Sequence, residues 1–124
     1  AAEAIPLTHR DVARAVTFVT GHTRDGRLDL DFTSLVKSSA TLAVYMGIVS
    51  LPQLRDGLFA AGLDARTPAA LIESGGTDEQ RALHGTLDEL VARAPGWTRG
   101  GPTLVLIGEA IGRGARQSGI AAAA

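Results

Sequence analysis

Four short apolar runs, "AVTFVT" (15–20), "TLAVYM" (41–46), "PAALIE" (68–73) and "PTLVLIG" (102–108), recur along the chain and constrain it more than any other feature. Each is too short for a buried helix and rich in branched aliphatic residues, so each reads as a strand. The second is apolar almost throughout, as expected of a strand covered on both faces. Helical patterns lie between them. "SLPQLRDGLFAAG" (50–62) places Leu51, Leu54, Leu58 and Ala61 on one face, with Ser50 and Gln53 as a capping box, Pro52 in the first turn and Gly62 as the stop. "TLDELVARA" (86–94) carries a second box in Thr86 and Glu89, with Pro95-Gly96 as its stop. "TDEQRALHGTL" (77–87) stays open, helix onset by its first half and strand by its second. Residues 21–32 read as a loop that turns at Asp25-Gly26. Strands separated by helices imply βαβ units. The expected fold is α/β, a largely parallel or mixed sheet of about five strands with helices on both faces.

Composition removes several function classes. Twelve Lys and Arg face thirteen Asp and Glu, a formal net charge of −1. Nucleic-acid and membrane-surface binding need clustered, uncompensated cations, so neither is expected. There is no cysteine, hence no disulfide framework, thiolate nucleophile or thiolate metal site. No apolar run approaches the roughly 20 residues that span a bilayer. Ala1 to Ile5 are neither basic nor long enough for a signal peptide, and the expected compartment is the cytoplasm.

In open α/β sheets, ligands gather at the carboxyl ends of strands. Three places fit: Gly21-His22 after the first run, Tyr45-Met46-Gly47 after the second, and Glu73 with the Ser74-Gly75-Gly76-Thr77 turn after the third. The double glycine reads either as close backbone approach to a ligand or as a tight connection. Met46 reads as core filler or as a ligand contact. His9, His22 and His84 lack the i+3 or i+4 partners of a metal site, and no G-x-S-x-G elbow occurs. "GEAIGRG" (108–114) lacks dinucleotide-fingerprint spacing and reads as a strand exit. Arg10, Arg14, Arg24 and Arg27 crowd the loops around the first strand, as carboxylate binders or as a solvated rim.

Several blocks, in order, carry a resemblance: Pro6-Leu7-Thr8-His9-Arg10, Thr20-Gly21-His22, Val44-Tyr45-Met46-Gly47, "TPAALIE" (67–73), Gln80-Arg81, Gly85-Thr86-Leu87 and "PTLVLIGE" (102–109). Together they resemble the uroporphyrinogen-III C-methyltransferases of the tetrapyrrole methylase family. Members are about twice as long and begin with glycine-rich "GxGPGD" and "GGDPF" segments absent here. The resemblance thus implies the carboxyl-terminal half, with residues 1–14 as an interdomain linker, 15–113 as the domain and 114–124 as a disordered tail.

It also implies an activity and a site. The family transfers methyl groups from S-adenosylmethionine to two ring carbons of uroporphyrinogen III, giving precorrin-2 on the way to sirohaem and cobalamin. An activated methyl needs alignment and exclusion of water rather than a metal or a covalent nucleophile. By resemblance, Arg10, His22 and Met46 meet the tetrapyrrole; Met46 and Gly75 line the S-adenosylmethionine pocket; Thr103, Tyr45 and Ala70 lie on the cofactor side. Arg24 and Arg27 stay rim residues, catalytic residues are not assigned, and the complete protein is expected to be a homodimer. Two rivals remain: a methylase acting on a later precorrin or a protein side chain, and a non-catalytic ligand-binding or dimerisation module.

Overall fold

The computed structural model describes residues 15–112, so Arg10, the linker segment and the tail lie outside the described residues. All four apolar runs are strands: β1 (Val16–Thr20), β4 (Thr41–Tyr45), β5 (Pro68–Glu73) and β7 (Thr103–Ile107). Two minimal strands, β2 (Thr23–Arg24) and β3 (Arg27–Leu28), form a hairpin inside the expected loop. Its turn residues Asp25 (φ 53) and Gly26 (φ 78) both take positive φ, the backbone that a two-residue reversal with the right twist requires. The ambiguous stretch resolves as a strand, β6 (Arg81–Thr86). The helices are α1 (Phe32–Lys37), capped by the Asp31 carboxylate, α2 (Leu51–Ala60) and α3 (Leu87–Trp97).

The sheet is mixed, with five strands in the order β1-β4-β7-β5-β6. Only β1 and β4 are parallel neighbours. Each helix still connects strands of the same direction, as in a βαβ unit. The β5–β6 hairpin reverses the chain, so β7 runs back between β4 and β5 and makes both contacts antiparallel. One face carries the main core, where Leu51, Leu54 and Leu58 of α2 and Leu87, Leu90 and Ala94 of α3 meet Leu42, Val44, Leu71, Val105 and Ile107. The other face carries a small cluster, Ala43, Ala70 and Leu106 beneath Ile111 from a helical turn at 109–112.

The two capping boxes part company. Thr86 Oγ1 accepts from Glu89 N (3.4 Å) while Glu89 Oε1 accepts from Thr86 N (2.9 Å), the full reciprocal box. Ser50 makes no side-chain cap bond, and a 3-10 turn at Ile48–Ser50 leads into α2 instead. Gln53 is engaged elsewhere: its Oε1 accepts from Leu28 N (2.7 Å) and its Nε2 donates to Gly26 O (3.0 Å). The expected Ser50–Gln53 box is therefore corrected to a helix-to-hairpin clamp. Gly62 (φ +105) does stop the helix, with Gly62 N donating to Phe59 O and Leu63 N to Leu58 O, a Schellman motif. The stop at Pro95-Gly96 is also corrected. α3 continues to Trp97, and Thr98 N donates to Ala94 O (2.9 Å). A proline this close to the end removes one ladder bond only, and Trp97 packs on the main core.

Thr86→Ala is expected to destabilise the domain by about 1 kcal/mol, and Ser50→Ala to change stability by less than about 0.5 kcal/mol. Paired chemical melts of the two variants read this difference directly.

Candidate functional site

The topology brings the carboxyl ends of β1, β4 and β5 and the amino end of β7 to one edge of the sheet. A cleft of about 470 Å³ opens there, on the face away from the three helices. Its floor is Tyr45, Ile72 and Leu104, one residue from each of three strands. Its wall is the β5–β6 turn, with Ser74, Gly75, Thr77, Asp78 and Glu79, closed on the far side by Pro102.

Polar side chains of the turn hold its own backbone in shape. Ser74 takes a positive φ of 56, and its N–H donates to Pro102 O (2.8 Å). Thr77 Oγ1 donates back to Ser74 O (2.7 Å), and Gly76 N donates to Gln80 Oε1 (2.8 Å). Gly76 sits at φ +79, where a side chain would be strained. Gly75 takes no such φ, and a Cβ there would meet Ile72 Cγ2 at an ordinary 3.4 Å.

Glu73 ends β5 with a carboxylate that is 1% exposed. Its partners lie in the loop that follows α3: Thr98 Oγ1 donates to Oε2, and Arg99 N to both oxygens at 3.1 Å. Arg81 Nη1 bridges from Oε1 (3.4 Å) to Trp97 O (2.7 Å), with its guanidinium 4.7 Å above the Trp97 ring. Burial alone would push the carboxyl pKa up. The Thr98 hydroxyl, the Arg99 amide, the Arg81 charge and the Gly101 amide outweigh it and hold the group below its ordinary value. A Cβ at Gly101 would displace the Ser74 hydroxyl and crowd Glu73 Cγ at 3.1 Å. Glu73, a candidate for the ligand edge by position, thus faces the scaffold that carries the cleft.

The remaining candidate residues divide. Gly75 and Tyr45 line the cleft, Tyr45 half-exposed at 54%. Thr103 is buried between the cleft residues Pro102 and Leu104; its hydroxyl donates to Gly101 O (3.1 Å) and its carbonyl accepts from Met46 N (3.4 Å). Met46 turns its side chain into the main core. Ala70 is buried in mid-strand on the cleft's face of the sheet, one turn of the pleat below Ile72. His22 is exposed past the end of β1, its carbonyl accepting from Asp29 N (2.8 Å). Sequence reading missed Ile72 and Leu104 as floor residues. The signal was the two-residue alternation that puts them on Tyr45's face, but it speaks only once the strand pairing is known.

Residues 1–91 match the model of the tetrapyrrole (corrin/porphyrin) methylases. The chain belongs to the tetrapyrrole methylase family. Over 107 residues, 86% of its length, the chain is 49% identical to the sirohaem synthase of Azotobacter vinelandii, of which the match covers 23%. It is 47% identical over 108 residues to the sirohaem synthase of Gluconacetobacter diazotrophicus, again over 23% of that protein. Its fold superposes with a TM-score of 0.71 on the uroporphyrin-III C-methyltransferase of Thermus thermophilus complexed with S-adenyl homocysteine, at 30% identity, covering 88% of this chain and 48% of that one. A cobalt precorrin-4 methyltransferase shares the fold at a TM-score of 0.70 and 19% identity. The chain therefore spans about half of the solved relative and about a quarter of the curated ones.

Because its folded-state pKa is lowered, ionised Glu73 stabilises the fold at neutral pH. That contribution drains away as the pH falls from the ordinary glutamate value of about 4.3 through the lower folded value. Glu73→Gln is expected to cost about 2–3 kcal/mol at pH 7. The gap from the wild type should narrow on acidification towards pH 3, as urea melts at the two pH values will show. A gap of constant size would contradict the carboxylate's role.

Proposed function

We propose that this chain is the carboxyl-terminal half of an S-adenosylmethionine-dependent uroporphyrinogen-III C-methyltransferase, which forms precorrin-2 for sirohaem and cobalamin. The observation that carries the reading is the cleft at the strand ends, walled by a side-chain-free backbone at Gly75 and floored by apolar Tyr45, Ile72 and Leu104. Its size lies within the range of small-ligand pockets. The residues fit a methyl donor of this kind. The apolar floor suits a flat base or a thioether chain, and Asp78 and Glu79 on the wall suit its positive charge. When bound, S-adenosylmethionine supplies an already activated methyl group, so the protein's task is alignment and exclusion of water.

In this reading Gly75 admits the donor, and Tyr45 lies beneath it. Met46 and Thr103, tied by the bond between their backbones, brace that side of the cleft from below, with Ala70 under the floor. His22, and Arg10 beyond the described residues, meet carboxylates of the tetrapyrrole. The glycine-rich half found in the longer relatives completes the cleft, and the complete enzyme works as a homodimer. The share of each relative that the chain covers supports this division.

The test has two arms. Expressed with whatever coding sequence adjoins it, the protein should transfer labelled methyl groups to uroporphyrinogen III, whereas the 124-residue chain alone should not. Within the active protein, Gly75→Val should abolish S-adenosylmethionine binding by calorimetry with an unchanged melting temperature, and Gly75→Ala should retain most of it. Full donor affinity in a folded Gly75→Val protein would remove the cleft from the donor site. Turnover by the chain alone would sink the half-enzyme reading.

A further inference from the structure

The β2–β3 hairpin displays an arrangement that folding alone does not favour. Its register sets Arg24 directly opposite Arg27 across the Asp25-Gly26 turn. Residues so paired send their side chains to the same side of the ribbon, with Cα atoms about 5.5 Å apart. Like charges in that relation destabilise a hairpin. Both arginines are exposed, and neither side chain makes an ion pair or hydrogen bond among the described residues. Arg55 pairs with Asp56 and Asp88 and Arg66 with Asp64, whereas the exposed Arg93 and Arg99 stand apart from any opposed like charge in a strand pair. Asp25 and Asp29, exposed on or beside the same ribbon, could have neutralised the pair and do not.

The ribbon is nevertheless held in place. Gln53 clamps it from α2 through Leu28 N and Gly26 O, and Leu28 is buried in the main core. Both clamp bonds go to backbone, so they fix the hairpin without lowering the charge at its tip. The ribbon also stands at the edge that holds the cleft. Gly21 N donates to the carbonyl of the floor residue Tyr45 (2.7 Å), and Arg24 follows three residues later in the chain.

We propose that Arg24 and Arg27 form a guanidinium pair that grips a peripheral carboxylate of the tetrapyrrole and so selects for carboxylate-bearing substrates. This rests on the tetrapyrrole reading of the cleft. Each planar fork donates two parallel hydrogen bonds to a carboxylate. An anion between the forks also relieves their mutual repulsion, which makes the site worth more than one exposed ion pair. Arg24 and Arg27 are positioning residues; they touch no reacting carbon.

The test uses the protein encoded by the whole reading frame, with uroporphyrin III as a stable octacarboxylate probe followed by fluorescence. Arg24→Gln combined with Arg27→Gln is expected to weaken uroporphyrin affinity about 10- to 100-fold, the loss of one or two charge-assisted hydrogen bonds. The salt dependence of binding should flatten, while S-adenosylmethionine affinity stays constant and the melting temperature holds or rises. Arg24→Lys with Arg27→Lys should restore only part of the affinity, since an ammonium lacks the fork. An unchanged uroporphyrin affinity in the glutamine variant overturns the proposal, whatever the activity. A wild type that binds uroporphyrin through this pair yet methylates no uroporphyrinogen III overturns the proposed reaction and leaves the pair standing. A wild type that binds no uroporphyrin overturns both.

Discussion

A buried carboxylate governs the edge of this domain that holds the cleft. Taking an ionised group out of water costs several kcal/mol unless its lone pairs find partners and an opposite charge. Glu73 finds them only if the loop after α3 folds over the end of β5, because Thr98 and Arg99 lie on that loop. Arg81, at the start of the next strand, must then lie across Trp97. One ionic requirement thus fixes three chain segments against each other. They include the entry to β7 and the root of the β5–β6 turn, which are the two sides of the cleft.

The remaining geometry follows from the handedness of the connections. Crossovers between parallel strands are right-handed, which places the helix after β1 and the helix after β4 on one face. The crossover from β6 to β7 runs along strands of opposite direction and travels the opposite way across the sheet. Reversing both is a two-fold rotation about the sheet normal, so α3 lands on the same face as α1 and α2. Three helices therefore cover one face. The other keeps small residues such as Ala43 and Ala70 at its centre and exposed Phe18 and Tyr45 towards β1. A cleft can open there because no crossover helix competes for the space.

The legibility of the sequence tracked how local the cause was. The four apolar runs, the Thr86–Glu89 box and the Gly62 stop depend on neighbours within a few residues, and all were readable. The Ser50–Gln53 box had equally good spacing. Gln53 instead bonds a hairpin 25 to 27 residues away, a competition invisible to local patterns. The short α1 was missed because its six residues bury none fully and so print a weak amphipathic signal. At the candidate site, Gly75 and Tyr45 were legible as residues at the carboxyl ends of strands. Ile72 and Leu104 carry no local signal of a floor and Glu73 stood at the ligand edge by position, and only the strand register and the post-α3 loop place them.

A ribbon with two residues in each strand cannot hold itself together in water. The β2–β3 hairpin is ordered because α2 lends it two hydrogen bonds and a place for Leu28. Its order is therefore borrowed, and it lasts only while α2 sits on the sheet. The Leu28 amide should accordingly exchange its proton with solvent at the pace at which the whole helix lifts. To that amide, an apparently peripheral loop belongs to the same cooperative unit as the core.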